Sequence, residues 1–228
     1  MPNFPSLLLN LRPFIFPIFP SYPLNLKSAF HIFDFSTKSN LLNIIKTLSL
    51  PETKQLITEI MKESGALIGV GKYNEDRPVY TSPSFTNRSV HMGLDFFLPA
   101  STPIHLPLKG IIHSFNNNDK ELDFGPTIII QHEIDIENKK ITFHSLFGHL
   151  SKKSLLHLKK GEKVDKGWKV GEIGEEHENG GWVPHLHYQI VRDLQGKEGD
   201  FNGVGAKERE WKENCPDPNL LLGLNLKY

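Results

Sequence analysis

Pro184-His185-Leu186-His187-Tyr188-Gln189-Ile190 is the stretch on which the reading of this chain turns. In an extended strand alternate side chains share a face. His185 and His187 therefore point one way, about 7 Å apart, while Leu186 and Tyr188 point the other. Two imidazoles on one face are costly to bury without partners. Taken alone, the segment is either a solvent-exposed pair on an edge or the wall of a site.

Working outward, short β-branched runs recur at Ile111-Ile112, Thr127 to Gln131, Ile141 to Phe143 and Tyr188 to Val191. Turn-forming clusters separate them, among them Asn116-Asn117-Asn118-Asp119 and Asn179-Gly180-Gly181. This texture predicts an antiparallel β domain from Arg77 to about residue 200. Lys163 to Gly167, between Gly161 and Gly171, reads as a hairpin. Upstream, Leu41, Leu42, Ile44, Ile45 and Leu48 recur with helical spacing after Ser39 and Asn40. A second helix is marked by a Ser49/Glu52 capping box around Pro51, an apolar stripe of Leu56, Ile57, Ile60 and Met61, and Gly65 as its stop.

Residues 1–30 are apolar but interrupted by Pro2, Pro5, Pro13, Pro17, Pro20 and Pro23. Proline inside a helix costs about 3 kcal/mol or more, so an irregular, dispensable extension is expected. No uninterrupted apolar run approaches the roughly 20 residues of a transmembrane helix. A basic start and a clean cleavage site, which an export signal requires, are not evident. The tail from 201 to 228 carries Pro216-Asp217-Pro218 and then Leu220 to Leu224, and is expected to pack on the domain surface.

The 228 residues include 26 Lys+Arg and 26 Asp+Glu, a formal net charge of zero. Nucleic acid as a partner is disfavoured, because an electrostatic binder would carry a basic excess. The single cysteine, Cys215, excludes an intramolecular disulfide and a cysteine-built zinc site. The 11 histidines direct attention to metal and acid–base chemistry.

Three pieces carry that chemistry. In His91-Met92-Gly93-Leu94-Asp95 the two potential ligands would lie about 13 Å apart in a straight strand, but Gly93 permits a bend that brings them together. His149 follows Phe147-Gly148 at the end of an apolar run. The third piece is the His185/His187 pair. Together they supply His, Asp and His as three ligands with an open position for water, the catalytic-zinc pattern, and two further histidines able to move protons.

The set His91…Asp95, His149-Leu150-Ser151 and His185-Leu186-His187 resembles the lysostaphin-type, or LytM-like, zinc metallopeptidases. Gly93-Leu94-Asp95-Phe96 with Pro99-Ala100 and Pro103, Phe124-Gly125, Ile130-Gln131-His132 and Gly161 to Gly174 follow in the family's order, over about residues 77–195. The resemblance implies a mainly β fold, an antiparallel β-sheet core of the duplicated hybrid-motif type with a small N-terminal helical extension. It implies one Zn²⁺ per chain held by His91, Asp95 and His187, with His149 and His185 as the catalytic pair. It implies a metalloendopeptidase acting on peptide or peptidoglycan, in cross-links or stem peptides, at the cell envelope if the chain acts like its family and in the cytoplasm otherwise. The expected organisation is 1–30 Pro-rich extension, 31–76 helical segment, 77–200 metallopeptidase core and 201–228 packing tail.

The loop Glu175 to Pro184 replaces the family's small-residue loop before His-x-His, which marks a divergent branch. His132 reads as supporting or packing; His144 and His177 could approach the site but read rather as surface residues; Arg88 could bind a substrate carboxylate bidentately or be an exposed structural arginine. Two other readings fit parts of the chain. One is a non-hydrolytic binding module of the same fold, which retention of every ligand and catalytic histidine argues against. The other is a biotin- or lipoate-carrier hairpin, which has no use for a His/Asp cluster.

Overall fold

A computed structural model describes residues 3–77, 88–136 and 139–226. The start of the expected core, residues 78–87, lies outside the described residues. In chain order the elements are α1 (Phe4–Leu11), β1 (Phe30–Phe33), α2 (Asn40–Ile45), α3 (Leu50–Ser64), β2 (Ile68–Gly71), β3 (Val90–His91), β4 (Leu94–Phe97), β5 (Pro103–His105), β6 (Gly110–Asn118), β7 (Gly125–Ile136), β8 (Lys139–Gly148), β9 (Lys163–Val164), β10 (Lys169–Glu172), β11 (His185–Val191), β12 (Val204–Gly205), α4 (Arg209–Asn214) and α5 (Asn219–Leu222).

The main sheet has eight strands in the order β1-β2-β4-β11-β8-β7-β6-β9. The fold is mainly β, but the sheet is mixed rather than purely antiparallel, because β1 runs parallel to β2. These two strands lie in the segment expected to be only helical. A connection through α2 and α3 joins them, as parallel neighbours require.

Period-2 alternation divides the sheet's two faces. Leu94, Phe96, Leu186 and Tyr188 point into one large core with Ile128, Phe143 and Phe147. Asp95, His185 and His187 project from the opposite face, so the same strands that anchor the core present the polar groups.

The helices form where their caps lie. The Ser39 side chain accepts from Leu41 N–H at the start of α2. Glu52 accepts from the Ser49 N–H at 2.7 Å, and Gly65 ends α3 at φ 65°.

Three local expectations are corrected. First, the beginning of the chain is not irregular throughout. Asn3 caps α1 and Pro5 sits in its first turn, where a missing N–H costs nothing. Leu7, Leu8, Ile18 and Phe19 are buried, and Arg12 donates to the Leu220 and Asn219 carbonyls at 2.8 and 2.7 Å. Second, Lys163 to Gly167 does not close a hairpin. Strand β9 pairs with β6, whereas β10 pairs with β5 in a separate ribbon. Third, Asn116 to Asn118 continue β6, opposite Gly125 to Thr127, instead of turning. Asn118 is held there by bonds from its side-chain amide to Thr127 and the Gly199 carbonyl.

Candidate metal centre

Register brings the three ligand candidates together. On adjacent strands Asp95 of β4 lies opposite His187 of β11, and His187 in turn lies opposite Gly148 of β8. His91 ends β3, held by pairing with Val204 of β12. Met92 and Gly93 then turn the chain into β4. Gly93 serves close approach here: a Cβ at this position would lie 2.6 Å from the His187 ring and 2.8 Å from the Tyr188 carbonyl.

The His91 Nε2–Asp95 Oδ1 distance is 3.1 Å, His187 Nδ1–Asp95 Oδ1 is 3.0 Å and His91 Nε2–His187 Nδ1 is 3.0 Å. All three residues are buried. Their outer atoms are committed elsewhere. His91 Nδ1–H donates to the Lys72 carbonyl at 2.8 Å. His187 Nε2–H donates to Gln189 Oε1 at 2.9 Å. The Gln189 amide is oriented by donating its own N–H groups to the Asn202 carbonyl and Cys215 Sγ. With the outer nitrogens donating, the inner nitrogen of each ring is the one aimed at the cluster. Burial, with the Arg77 charge nearby, pushes His91 down to about 4, which keeps it neutral at pH 7. Burial resists ionisation of Asp95, but His91 and Arg77 outweigh it and hold the carboxyl well below the usual range. Two imidazole nitrogens and a carboxylate oxygen thus converge within a hydrogen-bond length. This donor set fits a divalent cation of the zinc type, which takes imidazole and carboxylate ligands and wants such outer-sphere partners.

His149 and His185 flank the cluster. The His185 Nε2–Asp95 Oδ1 distance is 3.8 Å, and the His149 and His185 ring centres are 4.3 Å apart. His185 Nδ1–H donates to the Val183 carbonyl at 2.7 Å and His149 Nδ1–H to the Asn179 carbonyl at 2.8 Å. Burial lowers the affinity of both rings for protons, for His149 well below the ordinary value with help from His185 and His187. Each ring is then neutral with Nε2 as its acceptor. His149 has φ 62°, a conformation uncommon outside glycine, with its N–H on the Phe124 carbonyl.

The loop from Glu175 to Pro184 frames the pair. Asn179 is fully buried. Its amide donates to the Gly174 and Trp182 carbonyls, while Oδ1 accepts from Trp182 N–H. Trp182 in turn donates to the Asp123 carbonyl and meets His149 edge-on at 6.1 Å.

The other named residues make contacts of their own. His132 is buried between the Lys109 carbonyl and Ser145 Oγ, against Phe143. His144 contacts the Val191 carbonyl and the His113 ring, and His177 is exposed. Arg88 donates to the Val204 carbonyl.

Sequence reasoning missed two supporting residues. Gln189 continues the alternation of His185 and His187, a signal that was available. Arg77 donates to Asp95 Oδ2 at 2.7 Å and to Glu75 at 2.9 Å, and nothing in its sequence neighbourhood distinguishes it from a surface arginine.

Residues 89–200 match the model of Peptidase family M23. Over 103 residues the chain is 33% identical to the peptidoglycan DD-endopeptidase ShyA of Vibrio cholerae, an alignment covering 44% of this chain and 20% of that protein. The chain thus spans about a fifth of the length of this curated relative. Among solved structures, the catalytic domain of the antimicrobial peptidase lysostaphin from Staphylococcus simulans is 21% identical with a TM-score of 0.41, covering 63% of this chain and 91% of that one. A zinc-containing peptidase from Vibrio cholerae is 22% identical with a TM-score of 0.38, covering 52% and 31%.

Proposed function

We propose that the chain, whose residues 89–200 match the model of peptidase family M23, is a zinc-dependent metalloendopeptidase that hydrolyses peptide bonds in peptidoglycan cross-links or stem peptides. One observation carries the reading: three buried donor atoms within 3.1 Å of one another, each backed by its own outer hydrogen bond, with two neutral imidazoles beside them. The substrate class is taken from the family and from ShyA, and it puts the activity at the cell envelope. Among the described residues no helix is long and apolar enough to cross a membrane. Residues 77–200 are taken as the metallopeptidase core, with 31–76 and 201–228 packed around it.

His91, Asp95 and His187 would hold the zinc. When bound, zinc polarises the scissile carbonyl and lowers the pKa of its water to about 7. The chain's own contribution is orientation and proton transfer. The Val183 and Asn179 carbonyls fix the Nδ1–H tautomers of His185 and His149, so that each Nε2 can accept a proton from the attacking water or return one to the leaving amine. Burial keeps both rings unprotonated at neutral pH, the state a general base needs. Asp95, held by Arg77, keeps its charge.

The test separates two histidines that are alike in sequence. His187→Ala should lose both zinc and turnover. His185→Ala and His149→Ala should retain about one zinc per chain yet lose on the order of 10²–10⁴-fold in rate. Metal analysis combined with mass-spectrometric assay on peptidoglycan fragments reads both. Loss of metal from His185→Ala to the same extent as from His187→Ala would overturn the assignment, as would parental turnover in either catalytic variant.

A further inference from the structure

Asn179 is the buried polar side chain of the loop between β10 and β11, and both N–H groups and the oxygen of its amide have partners. Nδ2 donates to the Gly174 carbonyl at 3.2 Å and to the Trp182 carbonyl at 3.0 Å, and Oδ1 accepts from the Trp182 N–H at 2.9 Å. Removing such a group strands buried donors and acceptors away from water, which costs more than the bonds themselves were worth. One side chain thus ties the start of the loop, Gly174, to its end, Trp182. Between these points Gly180 and Gly181 stand at φ 93° and 83°. Glycine has little conformational preference of its own, so the path of the loop is set by its ties.

Both histidines beside the metal centre hang on this tie. His149 Nδ1–H donates to the Asn179 carbonyl at 2.8 Å, and the Gly174 N–H donates to the His149 carbonyl at 2.9 Å. With the bond from the Asn179 amide to the Gly174 carbonyl, these close a cycle through His149, Asn179 and Gly174. The Asn179 peptide is hemmed in from β7 as well: a Cβ at Gly125 would lie 2.7 Å from its carbonyl carbon. The second arm runs through Trp182, whose N–H and C=O are both held by the Asn179 amide. The next carbonyl in the chain, that of Val183, accepts from His185 Nδ1–H at 2.7 Å. The hydrogen bond made by one ring nitrogen decides whether the other is free to accept. The two acceptors that make this choice therefore lie on Asn179 itself and one residue beyond the peptide groups its amide grips.

We propose that the Asn179 side chain is a positioning residue that sets the orientation and tautomer of His149 and His185 together. This rests on the metallopeptidase reading above and extends it from the rings that would handle the proton to the group that aims them. The three metal-ligand candidates take their outer bonds elsewhere, from the Lys72 carbonyl, Gln189 and Arg77. Loss of the Asn179 amide therefore separates the two halves of the site: the metal stays and the aim of the histidines goes.

Asn179→Asp keeps the size and the acceptor but removes both donors, and Asn179→Ala removes every bond of the amide. Each is compared with the parent as the full chain loaded with zinc. Imidazole nitrogen chemical shifts, assigned with the His149→Ala and His185→Ala variants, report which ring nitrogen carries the proton. In the parent both rings should be protonated at Nδ1. In the Asn179 variants, with zinc still at about one per chain, both rings should become mixtures of the two tautomers. On peptidoglycan fragments kcat and kcat/KM should fall together, by on the order of 10²-fold, the effect of a misplacement of about 1 Å. A residue that only stabilised the loop would lower the urea midpoint and leave both rings protonated at Nδ1. Parental tautomers or parental turnover in either variant overturn the proposal, as does an Nε2–H form of either ring in the parent. Loss of zinc or of the fold from both variants overturns it too, because Asn179 would then support the whole centre and not the pair. A parent that takes up no zinc or cleaves no fragment counts against the metallopeptidase reading, and the same nitrogen shifts in the metal-free chain still decide whether Asn179 sets the two rings.

Discussion

Arg77 has a greater effect on the site than its single contact with Asp95 suggests. It is buried, its guanidinium joins Glu75 to Asp95, and it lies 5.3 Å over the Phe35 ring. Glu75 also accepts from the Phe35 N–H at 3.0 Å. Arg77 therefore sets which oxygen of Asp95 faces the two imidazoles. Loss of an outer-sphere partner typically costs 10–100-fold in metal affinity. Arg77→Met should weaken zinc binding by about that factor, and Arg77→Lys by less, because a lysine keeps charge but not the planar fork. Competition with a chromophoric chelator reads the constants, and unchanged affinity in Arg77→Met would remove Arg77 from the site. His149 illustrates the other residue-scale device. Its φ of 62° costs on the order of 1–3 kcal/mol and is maintained by bonds from its N–H to the Phe124 carbonyl and from Gly174 N–H to its own carbonyl.

At the scale of elements, what the sequence disclosed was what local chemistry decides. Alternation around His185 and His187 revealed β11, and the Ser49/Glu52/Gly65 punctuation revealed α3, because strand faces and helix caps depend on neighbours in the chain. The His-Asp spacing around Gly93 disclosed the bend for the same reason. What depends on distant partners stayed hidden. Strands β1 and β2 are four residues each and gain their definition from pairing across the sheet. The hairpin expected at Lys163 to Gly167 failed because each flanking strand has a better partner elsewhere. The proline count at the start of the chain misled because it registers how often the residue occurs and not where: Pro5 stands at a helix start, not inside one. The expectation that residues 1–30 can be removed is therefore reversed. Deleting residues 1–29 uncovers the core contacts of Leu8, Ile18 and Phe19, and Ile/Leu-sized losses each cost about 2–5 kcal/mol. The truncated protein should unfold at markedly lower urea than the full chain, or be insoluble. A midpoint equal to the parent's would show the segment to be peripheral.

For the whole molecule, one contribution to acid stability comes from a histidine outside the His91/Asp95/His187 cluster. Burial, reinforced by His144, pushes His132 down to about 4, although its bond to the Lys109 carbonyl opposes this. The unfolded chain takes up this proton near pH 6.5, while the folded chain resists until about pH 4. Between those values falling pH favours unfolding, by up to roughly 3 kcal/mol from this group. His132→Gln should start less stable at pH 7 and lose less on acidification, so the gap between variant and parent narrows from pH 6.5 toward 4. Urea titrations at several pH values measure it, and a constant gap would count against this account. The tail supplies a different kind of consequence. Cys215 is fully buried beneath the Gln189 amide that orients His187, and burial pushes its thiol up to about 12. An alkylating reagent meets a reactive thiolate there only when the tail lifts away from β11. The lone thiol is thus a clock for opening of the centre. Zinc, by tightening His187, should slow its labelling in proportion to the metal bound, and identical labelling rates with and without zinc would show that the tail moves independently of the site it covers.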